Sequence, residues 1–332
     1  MTTYSIALDL DRASSLDTRE MLIFEVQRGL QGRPRSLSPW MFYDARGSRI
    51  FEHITRLPEY YPTRTERSIL ATCCDAIMAA ACPHRSKAVR LVELGAGTAS
   101  KTAILLDAAA RLQSEVLYAP VDVSPDALDV ACETISASLP ELYISPIVAN
   151  YVTHPPQLDS FEGTTLGLYI GSSIGNFTPE EARTILRNLR SQLQAGDALL
   201  LGVDMVKDEP TLLAAYDDGD GVTAEFNLNM LHRLNRELDA NFNPAMFRHR
   251  ALWNPAHSRI EMHLESTRDQ RVRIAAADMD VHFAKNESIH TENSYKFTDE
   301  SIRNLLSDGG FEVEQMWSDE RGWYSVALAR TR

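Results

Sequence analysis

Val89-Arg90-Leu91-Val92-Glu93-Leu94-Gly95-Ala96-Gly97-Thr98-Ala99-Ser100-Lys101 is an apolar run that enters a glycine pair, and residues 102–112 continue it as a helix-compatible segment. This is the pattern of a buried parallel strand turning into a helix. Glycines suit such a turn because they accept positive φ and let a ligand approach the backbone. The helix start that follows offers free N–H groups and the positive end of a dipole. Downstream, Val116-Leu117-Tyr118-Ala119-Pro120-Val121-Asp122-Val123 reads as the next strand, with an acid near its carboxyl end. An acid there accepts both ribose hydroxyls of a nucleoside-containing cofactor. A bare Gly-x-Gly also fits a plain tight turn, and the dinucleotide fingerprint requires a third glycine where this chain has Ser100. Glu93 before the glycines and the missing third glycine fit S-adenosylmethionine (SAM) better than NAD.

Composition narrows the field. At 332 residues the chain holds one large or two ordinary domains. Its hydrophobic and charged fractions, 44% and 24%, are those of a soluble globular protein. A formal charge of −13 argues against nucleic acid as a partner, since phosphate binding requires a basic surface. No apolar run reaches membrane-helix length, so no membrane partner is expected. Asp9, Asp11 and Arg12 stand where a signal peptide has its apolar core, which points to the cytoplasm. Cys73, Cys74, Cys82 and Cys132 lack zinc-site spacing and read as free thiols, and the nine histidines form no metal pattern. No metal is expected.

Read in order, the first 35 residues predict a mobile start and then a helix, capped by Ser15 or Asp17, with Met21, Leu22, Phe24, Val26 and Leu30 as its apolar positions. Two aromatic-rich stretches follow, 40–51 and 57–66. They fit either a packed loop or the wall of a small-molecule pocket. From Glu66 the pattern becomes α/β, with a helix over 66–80, the glycine strand, and a helix after Asp122 that Ser124 caps and Pro125 opens. Strands are predicted over 142–148, 166–170 and 198–204. Between the last two lies a helix opened by Pro179-Glu180-Glu181, with Leu186, Leu189 and Leu193 on one face and Gly196 closing it. Strands alternating with helices imply a parallel sheet covered on both faces.

Residues 205–295 break that rhythm. Helical stretches at 211–216 and 222–238 precede alternating segments at 258–266 and 272–281, which read as antiparallel strands with one wet face. A helix over 301–306 and a hairpin of 311–317 with 323–329, turning near Glu320-Arg321-Gly322, close the chain. The expected organisation is an α/β, Rossmann-like SAM-binding methyltransferase domain over 65–204 and 296–332. A second, α+β substrate-binding domain is expected over 1–64 and 205–295.

Gly95, Gly97, Asp122, Asn150, Gly171 and Asn176 all fall at the carboxyl ends of expected parallel strands, where such sheets bind ligands. Longer blocks add specificity: Phe42-Tyr43-Asp44, Ile54-Thr55-Arg56-Leu57-Pro58-Glu59-Tyr60-Tyr61-Pro62-Thr63-Arg64-Thr65-Glu66, Gly171-Ser172-Ser173-Ile174-Gly175-Asn176, Asp204-Met205-Val206-Lys207-Asp208, Ala215-Tyr216-Asp217-Asp218, Arg259-Ile260-Glu261-Met262 and Thr291-Glu292-Asn293-Ser294-Tyr295-Lys296-Phe297. Together with the glycine strand, these resemble the histidine-specific SAM-dependent Nα-methyltransferases of ergothioneine biosynthesis, over nearly the whole chain after about residue 20. Base-modifying aminomethyltransferases carry Asp/Asn-Pro-Pro-Tyr after the fourth strand, and Gly175-Asn176-Phe177-Thr178-Pro179 here argues against a nucleobase acceptor.

The resemblance implies threefold methylation of the histidine α-amine to the trimethylbetaine, hercynine. It further implies that Gly95, Gly97, Lys101 and Asp122 hold the methyl donor, with Asn150 and Tyr151 around its adenine. By the same resemblance Asn176 and Tyr216 meet the amino-acid head group beside Gly171 and Ser173, and Tyr60, Met262, Glu292 and Ser294 surround the imidazole. Tyr43 and Phe51 lie near the amine, with Tyr43 and Asn176 as the catalytic pair. Asn150-Tyr151 replaces the family's Asp-Phe, and Ser173 its Thr. Another amino acid or small amine is the alternative substrate, because head-group contacts serve any of them. The chemistry agrees: methyl transfer is an in-line displacement, so positioning dominates. A phenol with a pKa of roughly 10 is a poor base at neutral pH, so Tyr43 orients first.

Overall fold

The computed structural model describes residues 18–84, 88–152 and 157–332. The candidate caps Ser15 and Asp17 lie outside them. In chain order the elements are helix α1 (Thr18–Gln31), strand β1 (Arg35–Ser36), α2 (Ala45–Ile54) and α3 (Tyr61–Ala81). Then come β2 (Val89–Leu94), α4 (Thr102–Leu112), β3 (Val116–Asp122), α5 (Pro125–Ser138), β4 (Tyr143–Ile144), β5 (Ile147–Val148), β6 (Thr164–Tyr169), α6 (Pro179–Ser191) and β7 (Ala198–Asp204). The chain continues through α7 (Glu209–Tyr216), α8 (Val222–Glu237), β8 (Phe247–Asn254), β9 (Arg259–Ser266), β10 (Gln270–Ile274), β11 (Met279–Phe283) and β12 (Ser288–Tyr295). It ends with α9 (Asp299–Asp308), β13 (Phe311–Ser318) and β14 (Tyr324–Thr331).

These elements form two compact units. One spans 62–206 and 297–332 and the other 207–296 with the segment before Pro62. The first is built on a sheet of order β13-β14-β7-β6-β2-β3-β4, with β5 also pairing β3. From β7 to β5 every pairing is parallel, while β14 runs antiparallel to β7 and β13 to β14. Strand β2 is buried at every position, as a central parallel strand must be. Leu105, Leu106, Ala108 and Ala109 of α4 join Leu91, Leu166, Leu200 and Val326 in one continuous core. A Thr178–Glu181 capping box starts α6, and Ser124 caps α5 by accepting from the Ala127 N–H at 3.3 Å.

Several expectations are corrected. The strand expected over 142–148 is two short pieces, because Pro146 lies between them and has no N–H to give the ladder. Helix α6 ends at Ser191, and Gly196 sits beyond it in a turn at φ +93°. The segment 272–281 is a hairpin, β10 with β11, folded over Asp278 at φ +49°. In α1 only Leu22, Val26 and Leu30 are buried, and Phe24 is 60% exposed, because 22, 26 and 30 share a face that 24 does not.

Chain reversal of strand order occurs at β2, which has β3 on one side and β6 on the other. The loops leaving β2 and β6 are tied by Glu66 of α3. Its carboxylate, fully buried, accepts from the Gly171 N–H at 2.8 Å and the Tyr324 hydroxyl at 2.7 Å, and pairs with the Lys101 ammonium. Glu66→Ala would leave that ammonium, N–H and hydroxyl without their acceptor. The expected loss is about 3–5 kcal/mol, the scale for breaking a buried pair from one side. Urea unfolding followed by circular dichroism measures it, and a loss below about 1 kcal/mol would mean that the cation rehydrates freely.

Candidate active site

In the first unit the register of the parallel pairs levels the strand ends. Leu94 faces Val121, and Asp122 faces Val148. The chain therefore leaves β2, β3 and β5 along one edge, where Gly95, Asp122 and Asn150 stand. Gly95 has φ +70° and Gly97 φ +51°, so both occupy conformations that favour glycine. A Cβ at Gly95 would lie 3.0 Å from the Tyr151 hydroxyl, whereas nothing stands within 4 Å of one at Gly97. Asp122 accepts from the Gly97 N–H at 3.3 Å and the Ser124 N–H at 3.0 Å. Burial raises its carboxyl above the usual value, and those N–H groups partly offset the rise. Tyr151 is pushed up to about 12 by burial and then by the charge of Asp122. The Asn150 side-chain oxygen accepts from the Val152 N–H at 3.2 Å.

These residues fit an adenosyl group. A carboxylate stands at a strand end, the backbone over Gly97 is open, and a half-buried aromatic ring flanks Gly95. Lys101, expected to hold the donor, spends its ammonium on Glu66. Gly171 at φ +87° begins the loop after β6, and a short 3-10 turn, Ser173–Asn176, follows. The Ser173 hydroxyl is buried without a hydrogen-bond partner among the described residues.

In the second unit β12 lies between β1 and β9 in the sheet β1-β12-β9-β8. A bulge between His290 and Glu292 shifts its register. Before the bulge Ile289 and Thr291 are buried, and after it Glu292 and Ser294 are, followed by Lys296. A bulge inserts one residue and so exchanges the strand's faces. Asn227 of α8 holds it, accepting from the Thr291 hydroxyl at 2.9 Å. Glu292 is then the cross-strand partner of Met262.

Aromatic rings complete the wall. Tyr43 meets Phe51 at 5.7 Å, Phe51 meets Tyr60 at 6.2 Å, and Tyr60 meets Tyr216 at 6.2 Å, all edge-to-face. Phe226 of α8 stands 5.7 Å from Phe51. Asp44 sets this geometry. It caps α2 through the Gly47 N–H at 2.7 Å and accepts from Asn229 at 2.8 Å and Arg236 at 2.7 Å, which binds α2 to α8. Tyr216 ends α7. Its carbonyl lies 2.8 Å from His249 Nε2, and the Asn227 amide lies 2.8 Å from Nδ1. The same amide nitrogen also points to the His263 carbonyl at 3.1 Å, so it donates to Nδ1 and leaves the His249 proton on Nε2. Burial lowers the His249 pKa and keeps that ring neutral.

Phe51, Ile54, Tyr60, Tyr216, Met262 and Glu292 line a half-open cavity of about 20 Å³, which is room for one water molecule. An imidazole enters only as these side chains shift. The Glu292 carboxylate has no hydrogen-bond partner among the described residues. Burial pushes it up to about 7, and the Lys296 ammonium partly counters this. Sequence reasoning gave no role to Lys296, Phe226, His249 or Asn227. Lys296 stood inside a quoted block two positions beyond Ser294, and that spacing was the available signal. The others read as helix or strand filler.

A carboxyl raised in the fold favours the folded state at low pH, and the advantage disappears as pH rises from about 4.5 to about 7. Glu292→Gln has no such loss. It should therefore be the more stable protein above pH 7, by up to about 3 kcal/mol, with the gap closing near pH 4.5. Thermal melts across that range measure this, and a pH-independent gap would place the strain elsewhere.

The chain is 44% identical over 310 residues to histidine N-alpha-methyltransferase of Mycolicibacterium smegmatis, covering 93% of this chain and 95% of that protein. It is 42% identical over 305 residues to the protein of the same name from Mycobacterium tuberculosis, covering 92% and 93%. Ergothioneine biosynthesis protein 1 of Neurospora crassa is 29% identical over 305 residues, which are 90% of this chain and 34% of that protein. Among the described residues no helix is long and apolar enough to cross a membrane. A family model described as histidine-specific, SAM-dependent methyltransferase matches residues 22–331, and with that match and the sheet described above the chain belongs to this family, on a class I SAM-dependent methyltransferase fold.

Proposed function

We propose that this protein transfers methyl groups from SAM to the α-amine of L-histidine, three in succession, giving hercynine as the first step of ergothioneine biosynthesis. The observation that carries the choice of histidine is the buried Glu292 carboxylate, without a hydrogen-bond partner among the described residues, in the lining of an aromatic cavity. Imidazole differs from other aromatic side chains in having a ring N–H and a ring acceptor. In this reading Glu292 accepts the N–H, Ser294 serves the other ring nitrogen, and Met262 and Tyr60 cover the ring faces. Tyr216, with Asn176, Gly171 and Ser173, holds the amino-acid head group. A ligand without the N–H leaves a buried carboxylate unpaired, so selection is strong.

Gly95, Gly97, Asp122, Asn150 and Tyr151 would hold the donor, with Lys101 acting through its bond to Glu66. Bound SAM supplies an electrophilic methyl on a sulfonium sulfur. The residues of this chain must present a neutral amine and accommodate the cation that grows on it. Asn176 orients the amine without holding a proton. Tyr43 and Phe51 offer ring edges and faces, and the faces attract a methylated ammonium. Tyr43 orients rather than deprotonates, because a phenol keeps its proton at neutral pH.

Incubation of the twenty amino acids with enzyme and SAM, read by mass spectrometry, should give mono-, di- and trimethylated histidine and leave the others unchanged. Asp122→Ala should weaken SAM by about 1.5–3 kcal/mol for each charge-assisted bond lost, with the fold intact, as calorimetry would show. Unchanged affinity removes Asp122 from the donor site. Glu292→Ala should lose most histidine turnover, keep SAM binding, and narrow the kcat/KM gap between histidine and phenylalanine or tryptophan. A mutant with the parent's preference would make Glu292 a bystander.

A further inference from the structure

Asn227 of α8 reaches β8, β9 and β12, which are neighbours in their sheet, with a single amide. Its oxygen accepts from the Thr291 hydroxyl of β12 at 2.9 Å. Its nitrogen stands 2.8 Å from His249 Nδ1 of β8 and 3.1 Å from the His263 carbonyl of β9. Turned over, the amide would set its oxygen against that carbonyl, so its orientation is fixed and His249 Nδ1 presents a lone pair. The Nε2–H on the other side of the ring donates to the Tyr216 carbonyl at 2.8 Å. Thr291 is the extra residue of the bulge, because His290 pairs with His263 while Glu292 pairs with Met262 beside it. Both Asn227 and Thr291 are completely buried. The Thr291 hydroxyl proton lies between the Asn227 oxygen and the Met262 carbonyl, the latter at 3.0 Å.

We propose that Asn227 is a positioning residue for the choice of substrate: through Thr291 it holds the bulge that turns Glu292 into the cavity lining, and through His249 it holds the backbone of Tyr216, which lines the same cavity. Burying the Glu292 carboxylate costs free energy, so a strand free to relax would turn it outward. The bond from Thr291 to Asn227 opposes that relaxation. The effect of Asn227 passes through these two neighbours rather than through a contact with the ligand. This inference rests on the proposed contacts of Glu292 and Tyr216 with histidine.

The test is kcat and KM for histidine and phenylalanine at saturating SAM, in the parent, Thr291→Val, Thr291→Ser and Asn227→Asp. Thr291→Val keeps the branched shape without the hydroxyl. It should raise the histidine KM roughly three- to tenfold, the scale of one hydrogen bond, with kcat changed less and SAM affinity unchanged. The preference for histidine over phenylalanine should narrow with it. Thr291→Ser, which keeps the hydroxyl, should return KM to within about twofold of the parent. In a Glu292→Ala background Thr291→Val should cost less than about twofold in kcat/KM, because the group it places is gone. Equal costs in the two backgrounds, or a serine variant no better than the valine one, overturn the proposal.

Nitrogen NMR of the His249 ring tests the amide itself. The parent should show a neutral ring with its proton on Nε2. Asn227→Asp sets an oxygen against Nδ1, which should then carry a proton, and the histidine KM should rise at least about threefold. A parent proton on Nδ1, or an Asn227→Asp variant with the parental KM, overturns the proposal. If Asn227→Asp does not fold, the parent spectrum and the Thr291 series decide. Failure of the underlying reading looks different: the parent leaves histidine unmethylated, or Glu292→Ala keeps the parental preference, and either result removes the inference as well.

Discussion

The Glu66 carboxylate lies in the core of the larger unit with a cation, a backbone N–H and a phenol as its partners, and two loops depend on it. Lys101 follows the glycine turn after β2, and Gly171 opens the turn after β6, on either side of the point where strand order reverses. A carboxylate costs several kcal/mol to bury and is retained only when its partners satisfy it. Helix α3, which contributes it, thereby sets the spacing of both turns. Gly202 on β7 completes the arrangement, since a Cβ there would collide with the carboxylate. The end of one long sequence block and the start of the helix after the glycines are thus two halves of one ion pair.

The smaller unit handles its charges differently. Among the described residues Glu292 has no hydrogen bond to offset its burial, and the nearby Lys296 ammonium donates to the Tyr216 and Ser294 hydroxyls. Unsatisfied buried charge is destabilising, and such strain collects where a ligand relieves it. An N–H donor entering the cavity would complete the bond that the fold leaves unmade. The aromatic rings around it supply apolar area and edge contacts that survive small displacements, and this suits a cavity that must widen.

Much of the larger unit was legible because its signals are local. Strand β2 is apolar throughout, Gly95 and Gly97 mark the turn, and Ser124-Pro125 and Thr178-Pro179 announce helices by their capping chemistry. The hairpin β13–β14 turns over Gly322 at φ +65°, as its residues require. The smaller unit was harder to read. Strand β8, Phe-Arg-His-Arg-Ala-Leu-Trp-Asn, alternates only in its first half, where Arg248 and Arg250 face outward and pair with Glu265, and its last four residues are all half-buried. Strand β12 changes phase in its middle, so period-two counting fails on it. Strand ends pointed to Gly95, Gly97, Asp122 and Asn150 in the larger unit, whereas most candidates in the smaller unit came from matched blocks rather than periodicity. Lys101 shows the limit of that route, since a block places a residue but does not say which atom its charge faces. The proton position on His249, and the bonds from Lys296 to Tyr216 and Ser294, depend on contacts in the fold and leave no trace in spacing.

The bulge at Thr291 gives β12 the character of a text with two reading frames. In one frame the buried letters are Glu292, Ser294 and Lys296, and in the other they are Asn293 and Tyr295. Passing from one to the other takes the loss of a single residue, because strand faces alternate with a period of two. A family built on this strand has a route to new acceptors that substitutes no side chain. One deletion would replace a carboxylate, a hydroxyl and an ammonium with an amide and a phenol, and the sheet around them would keep its hydrogen-bonded partners.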